Sequence, residues 1–219
     1  MVEANPQINL LVLGYTNNIF FEKMDDWIYK ESYLGYKYPK YSQLICSKDK
    51  FFLFYKNPVT FIKSSLDAIK TKNKLIFSNQ NNIYRSLNWG GYQYYNQSEV
   101  TKTLSDIRKK SNSNELYQTM VAKYNILYLK KILLYSQQHH IKVILLRTPL
   151  HREYKREFED RLIKMARIYN NGVQFWDYSQ LPFDDLDFID LSHLNYRGAN
   201  KFSQILRKDL EKSGYLKSD

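Results

Sequence analysis

The chain holds one cysteine, Cys46, four histidines and no apolar run near the length of a membrane span. Each shortage excludes something. A single cysteine rules out an internal disulfide and argues against a cysteine-based zinc site. The histidines form no cluster with metal-ligand spacing, so neither a metal nor another cofactor is expected. A span needs about 20 apolar residues, and the candidates "LLVLG" and "ILLYS" fall far short. No membrane segment is expected in the chain. The opening "MVEANPQINLL" lacks a basic region leading into an apolar stretch, so it does not read as a signal peptide. No compartment follows from that.

What is present is an ordinary folding composition. The 219 residues, 43% hydrophobic and 25% charged, suit one domain, which buries roughly 70% of its unfolded surface. The balance is basic, +11 at pH 7. Such charge suits nucleic acid, anionic lipid or acidic polysaccharide. Here the lysines and arginines are spread along the chain. The densest groups, "IRKK" (107–110) and "REYKRE" (152–157), read as solvated helix faces. No nucleic-acid-binding motif accompanies them, so nucleic acid is not an expected partner.

Three short apolar runs end in turn signals: "INLLVLG" (8–14), "HIKVILLRTP" (140–149) and "GVQFWDYS" (172–179). Continuous runs of this length mark strands of a buried parallel sheet. Between the last two, Phe158, Leu162, Met165 and Tyr169 recur at helical spacing, which predicts a helix over 151–170. The resulting βαβ unit must be right-handed. Further helices are predicted at 113–138, with Ser113 or Asn114 as N-cap, and at 57–71, with Pro58 in the first turn. A last one spans 195–214, with Phe202, Ile205, Leu206 and Leu210 as its apolar stripe and Gly214 as its C-terminal stop. "FFLFY" (51–55) reads as a strand. "NWGGYQYYNQ" (88–97) reads as a loop packed by its own tyrosines or as a platform for sugar rings. The expected architecture is α/β, with a mostly parallel sheet flanked by helices. It forms one domain over 1–219, with a helical or irregular insertion at 19–112. Ligands of such sheets bind beyond the carboxyl ends of the strands, here 14–18, 148–151 and 177–180.

The stretch "DFIDLSHLNYRGANKFS" (187–203) puts Asp190 three residues before His193. A catalytic imidazole needs one nitrogen facing the reaction and the other held by an acceptor. An aspartate on a tight turn can hold it. The same spacing also arises by chance, with Asp190 capping a loop or the final helix. His151 lies on the expected rim, where it reads as a helix-start or surface histidine. His139 and His140 close a helix, where a cation suits the dipole.

"DFIDLSHLNYRGANKFSQIL" resembles the last block of SGNH/GDSL-type hydrolases, in which Asp–x–x–His precedes an Asn, a Gly and a small residue. "IKVILLRTPLHREY" and "VQFWDYSQL" resemble the preceding strand-and-loop segments. The likeness is nearest to SGNH-like domains of Bacteroides-type bacteria and runs through most of 113–210. It implies a three-layer, flavodoxin-like α/β fold and acyl-ester hydrolysis or acyl transfer, without a cofactor. The implied substrate is a small-molecule or carbohydrate ester. His193 would be the general base and Asp190 its orienting acid. The family's Gly–Asp–Ser block does not occur here, and "LVLGYTNN" (11–18) is the one comparable place. In one reading it is the later Gly–x–Asn–Asp block. Gly14 and Asn17 or Asn18 then serve the oxyanion, and the first strand and the serine lie upstream of Met1. In another, Gly14–Tyr15–Thr16 replaces Gly–Asp–Ser and Thr16 is the nucleophile. In a third the segment only turns the chain. The first is the expectation taken here, so the chain by itself is expected to be inactive. The non-enzymatic alternative is a structural or binding module for an acidic glycan, suggested by the charge and the Tyr and Trp content.

Overall fold

A computed structural model of the chain describes residues 7–16, 31–77, 95, 97–110, 122–154, 163–164 and 173–216. The fold is mixed α/β, and the chain divides into two compact units. One comprises residues 1–21 with 94–219, the other 22–93. The strands are β1 (Leu10–Gly14), β2 (Lys142–Arg147) and β3 (Val173–Asp177). The helices are α1 (Glu31–Tyr41), α2 (Ser47–Lys56), α3 (Pro58–Phe77), α4 (Val100–Lys110), α5 (Lys123–Gln138) and α6 (Tyr196–Lys212). No described helix is long and apolar enough to cross a membrane.

The first unit is built on a parallel sheet in the order β1-β2-β3. All three strands come from the continuous apolar runs. Leu11 pairs with Val143 and Val143 with Val173; Leu13 pairs with Leu145 and Leu145 with Phe175. Paired residues of parallel strands point to the same face, so these six side chains form one layer. α5 lays Leu129 and Leu133 on that layer. Each fully buried Leu or Val contributes roughly 1.5–3 kcal/mol, which makes this contact the unit's main hold. At the carboxyl end the same face carries Tyr15, Arg147 and Asp177. The Tyr15 N–H donates to the Leu146 carbonyl at 2.8 Å, extending the ladder by one residue. The Tyr15 ring meets Phe175 edge-on at 5.5 Å. Arg147 is wholly buried and pairs with Asp177 at 3.3 Å.

α6 begins at Asn195, whose side chain accepts the Gly198 N–H at 3.0 Å. It ends before Gly214, which takes the left-handed conformation (φ +70) expected of a helix stop. Its Phe202 packs on Tyr178, just past β3, at 5.2 Å. The Tyr178 hydroxyl donates to Asp209 at 2.7 Å. Burial and that carboxylate both push the phenol's pKa up.

The second unit contains α1, α2 and α3. Asn57 accepts the Thr60 N–H at 3.3 Å and Pro58 opens α3, which runs on to Phe77. One expectation is overturned here: residues 51–55 are not a strand but the middle of α2. A run of five apolar residues fits a buried strand or a turn and a half of helix equally well. Burial selects one of its side chains, Leu53, while Phe51 and Tyr55 stay exposed. The predicted helix 151–170 begins instead as a turn, in which the Tyr154 N–H donates to the His151 carbonyl. Ile163 and Lys164 are helical, and its other positions lie outside the described residues. The helix predicted over 113–138 starts only at Lys123, with Ala122 as its non-helical N-cap; Ser113, Asn114 and most of 88–97 lie outside the described residues.

A Cβ on Gly198 would overlap the Asp187 carbonyl oxygen, whereas Gly35 in α1 has open space around it. Gly198→Ala is expected to destabilise the chain by about 1–3 kcal/mol, the usual cost of overpacking. Gly35→Ala is expected to be neutral or to stabilise by up to about 1 kcal/mol. Urea midpoints at unchanged slope measure both.

Candidate functional site

The site is made by the loop between β3 and α6. Asp184 opens a 3-10 turn (Asp185–Asp187) in a reciprocal cap with Asp187. The Asp187 carboxylate is wholly buried, with Lys201 Nζ at 2.7 Å and Arg197 Nε at 2.9 Å. Its carbonyl accepts the Asn195 N–H at 2.9 Å, and the Asn195 amide donates to the Leu186 carbonyl at 2.7 Å. Phe188 and Leu194 then bridge in antiparallel fashion, and the Ile189 N–H donates to the His193 carbonyl at 2.8 Å. The chain from 188 to 194 is thus a closed loop with Asp190 and His193 at its tip. The His151 N–H donates to the Leu191 carbonyl at 3.0 Å and the Leu150 N–H to the Ser179 carbonyl. Leu150 and His151 follow β2 and Ser179 follows β3, so the loop is seated beyond the carboxyl ends of these strands.

At the tip, Asp190 Oδ1 accepts the backbone N–H groups of Ser192 at 2.7 Å and His193 at 2.9 Å. This turn closed by an aspartate side chain aims the carboxylate at the imidazole. His193 Nδ1 lies 2.9 Å from Asp190 Oδ2 and 3.0 Å from Oδ1, and Ser192 Oγ is 3.0 Å from the same nitrogen. A carboxylate only accepts, so the ring proton sits on Nδ1 and the neutral ring presents Nε2 as a base. Partial burial alone would raise the Asp190 pKa. The hydrogen bonds from His193 and Ser192 outweigh it and bring the value down to about 2. The bond to Asp190 raises the His193 pKa, against the opposing effect of partial burial. The His193 side chain is 68% exposed, so the base is open to an incoming group.

His151 departs from the sequence reading. It is neither a surface nor a helix-start residue but is buried at 1% exposure. Its Nδ1 accepts the Glu153 N–H at 3.2 Å and its Nε2 lies 3.1 Å from Asp185 Oδ1. The proton is therefore on Nε2, the opposite tautomer to His193. The ring also packs edge-on against Phe188 at 5.3 Å. His151 holds the loop through its backbone and its ring. Thr16 and Gly14 sit at the end of β1; Thr16 is half-buried, and no hydrogen bond among the described residues joins it to His193. Asn17 and Asn18 lie outside the described residues. No group of three possible metal ligands occurs among the described residues. Sequence reasoning missed Asp187 and Arg147. Arg197 and Lys201, four apart on one helix face, were the available sign of a carboxylate beneath α6.

A family model matches residues 92–214, more than half of the chain. The chain belongs to that family. The family is uncharacterised, and the matched span takes in the whole 184–195 loop with His151, Asp190 and His193. No curated protein and no solved structure matches the chain.

His193 is expected to titrate above the ordinary imidazole value of about 6.5. Asp190→Asn keeps an acceptor for the turn but removes the charge, and should bring the ring back toward that value. Ring-proton NMR shifts against pH measure it; an unchanged titration in Asp190→Asn would sink the coupling. Stability should follow. The lowered Asp190 pKa stabilises above the ordinary carboxylate value and is lost as pH falls toward 2. The raised His193 pKa stabilises below the ordinary imidazole value and is lost as pH rises through the folded value. The contribution is greatest between about pH 4 and 6.5.

Proposed function

We propose that the chain carries the acid–base half of an acyl-ester hydrolase or acyltransferase centre of the SGNH/GDSL kind, acting on an acylated small molecule or carbohydrate. The observation that carries this reading is the 2.9 Å contact between Asp190 and His193 Nδ1, at the tip of a loop beyond the carboxyl ends of β2 and β3. His193 Nε2 takes a proton from an attacking hydroxyl and later returns it to the leaving group. Asp190 holds the ring and stabilises its cation. The three-layer, flavodoxin-like arrangement belongs to the same proposal, supported by the all-parallel sheet and the order of the three resembling segments. In this reading Gly14 and Asn17 or Asn18 help bind the oxyanion, and the attacking serine stands on a Gly–Asp–Ser block upstream of "LLVLG". Thr16 is the alternative nucleophile.

Turnover of short-chain nitrophenyl esters tests the reading. Residues 1–219 are expected to be no faster than their His193→Ala control, because a triad without its nucleophile keeps only residual catalysis. A chain extended upstream through an in-frame Gly–Asp–Ser block is expected to gain turnover that His193→Ala removes. Activity in the short chain that is abolished by Thr16→Ala and unaffected by Asn17→Ala would move the nucleophile to Thr16. An extended chain with no turnover above its His193→Ala control would overturn the esterase reading.

A further inference from the structure

α3 is built inside out. Its inward side is mostly small: Thr60 and Ser64 are buried, and Ala68 packs in the unit's core beside the one large residue there, Phe61. Its outward side is large and apolar, with Val59, Ile62, Leu66 and Ile69 each more than half exposed. These four recur at intervals of three, four and three, so they line up as one stripe. An ordinary surface helix has the reverse polarity. Thr60, Ser64 and Ala68 stand four residues apart, the spacing of small residues that lets helices approach closely in apolar surroundings. α3 packs on α1, where Tyr38 meets Phe61 at 4.9 Å between ring centres.

The stripe is bordered by lysine. With Val59 and Leu66 at heptad position a, and Ile62 and Ile69 at d, Lys63 and Lys70 occupy e, and Ser65 and Lys72 occupy g. Asp67 offsets one of them through an exposed pair with Lys70 at 3.6 Å. A second copy laid antiparallel on this stripe would bring the e-position lysines against each other, and a parallel copy would set Lys70 against Ser65 with no acidic partner for any of the lysines. Residues 31–77 as a whole hold nine lysines against three acidic residues. α2, joined to α3 through Asn57, adds Phe51 and Tyr55 one turn apart, 70% and 73% exposed.

The geometry points to an anionic lipid surface as what covers this face. The stripe enters the boundary between headgroups and acyl chains, and the lysines meet the phosphates. An apolar plane with anionic headgroups takes the stripe and its bordering lysines without needing a fixed register. The mode is interfacial, since no described helix is long and apolar enough to span. It is independent of the chemistry at His193.

Flotation of the whole chain with vesicles tests it, comparing phosphatidylcholine alone with an equal mixture of phosphatidylcholine and phosphatidylglycerol. The chain is expected to float with the anionic vesicles and to be released by salt. Ile62→Ser with Leu66→Ser is expected to weaken partition by more than about tenfold. Lys63→Gln, Lys70→Gln and Lys72→Gln are each expected to weaken it by about fivefold. All five positions point outward, and unchanged circular dichroism shows that the variants keep their helices. Failure to bind either vesicle overturns the proposal, and so does undiminished binding by the Ile62→Ser, Leu66→Ser variant. A concentration-dependent dimer lost in that same variant, without vesicle binding, assigns the stripe to a second copy instead.

Discussion

The candidate site rests on one buried carboxylate. Asp187 is fully enclosed, and burying an unpaired charge costs several kcal/mol or more. It is tolerable here because Lys201 and Arg197 reach it from α6 and the Asp184 N–H reaches it from the preceding turn. The same residue's carbonyl takes the Asn195 N–H, which fixes where α6 begins. Gly198 leaves room for that carbonyl, and Asn195 caps the helix over it. Loop and helix are therefore locked at one point. The seven residues from 188 to 194 have little freedom left, and their tip is where Asp190 meets His193.

Two histidines share this rim in opposite protonation geometries. His151 is buried and donates from Nε2 to Asp185, so its ring is spent on structure. His193 is exposed and donates from Nδ1 to Asp190, so its Nε2 is left to act as a base. Both have an aspartate partner, so a carboxylate alone does not separate them. What separates them is the covering. Phe188 packs on His151, whereas the Asp190 turn lifts His193 out of the loop. Asp190 both closes the turn and holds the ring, so the backbone that aims the imidazole and the charge that polarises it depend on a single side chain.

Much of the sheet was legible because parallel strands are buried on both faces and leave continuous apolar runs. β2 and β3 fall inside such runs, and β1 is offset from its run by two residues at the start. α6 was legible through its stripe and Gly214, and the Asp190–His193 spacing through its turn. Other features were not, for physical reasons. "FFLFY" has no period, and only packing makes it helical. Asp187 looks like one more aspartate in "DDLDFID" until α6 brings two cations over it. His151 follows a strand and a proline, a pattern that says nothing about whether Phe188 will cover it. Arg147, at the end of an apolar run, carries no sign in the sequence that it lies wholly inside, paired with Asp177 across the ladder.

The two units solve opposite packing problems. In the sheet unit, Leu129 and Leu133 of α5 lie on the layer formed by Leu11, Leu13, Val143, Leu145, Val173 and Phe175, while the outer side of α5 still leaves Leu127, Ile132 and Leu134 exposed. In the helical unit, Thr60, Ser64 and Ala68 face inward and Val59, Ile62, Leu66 and Ile69 face outward. Water penalises the second arrangement, since four half-exposed aliphatic side chains each forgo about half of the roughly 1.5–3 kcal/mol that full burial returns. Composition hides the contrast. Averaged over the chain, the charge of +11 looks like a solvated surface, and the lysines look evenly spread. Set against the fold, nine lysines and an apolar stripe occupy the same forty-seven residues, and each charge near the stripe raises the cost of an uncharged or basic partner. A helix that keeps its large apolar side outward beside that much positive charge is matched to a surface that is apolar beneath and acidic above.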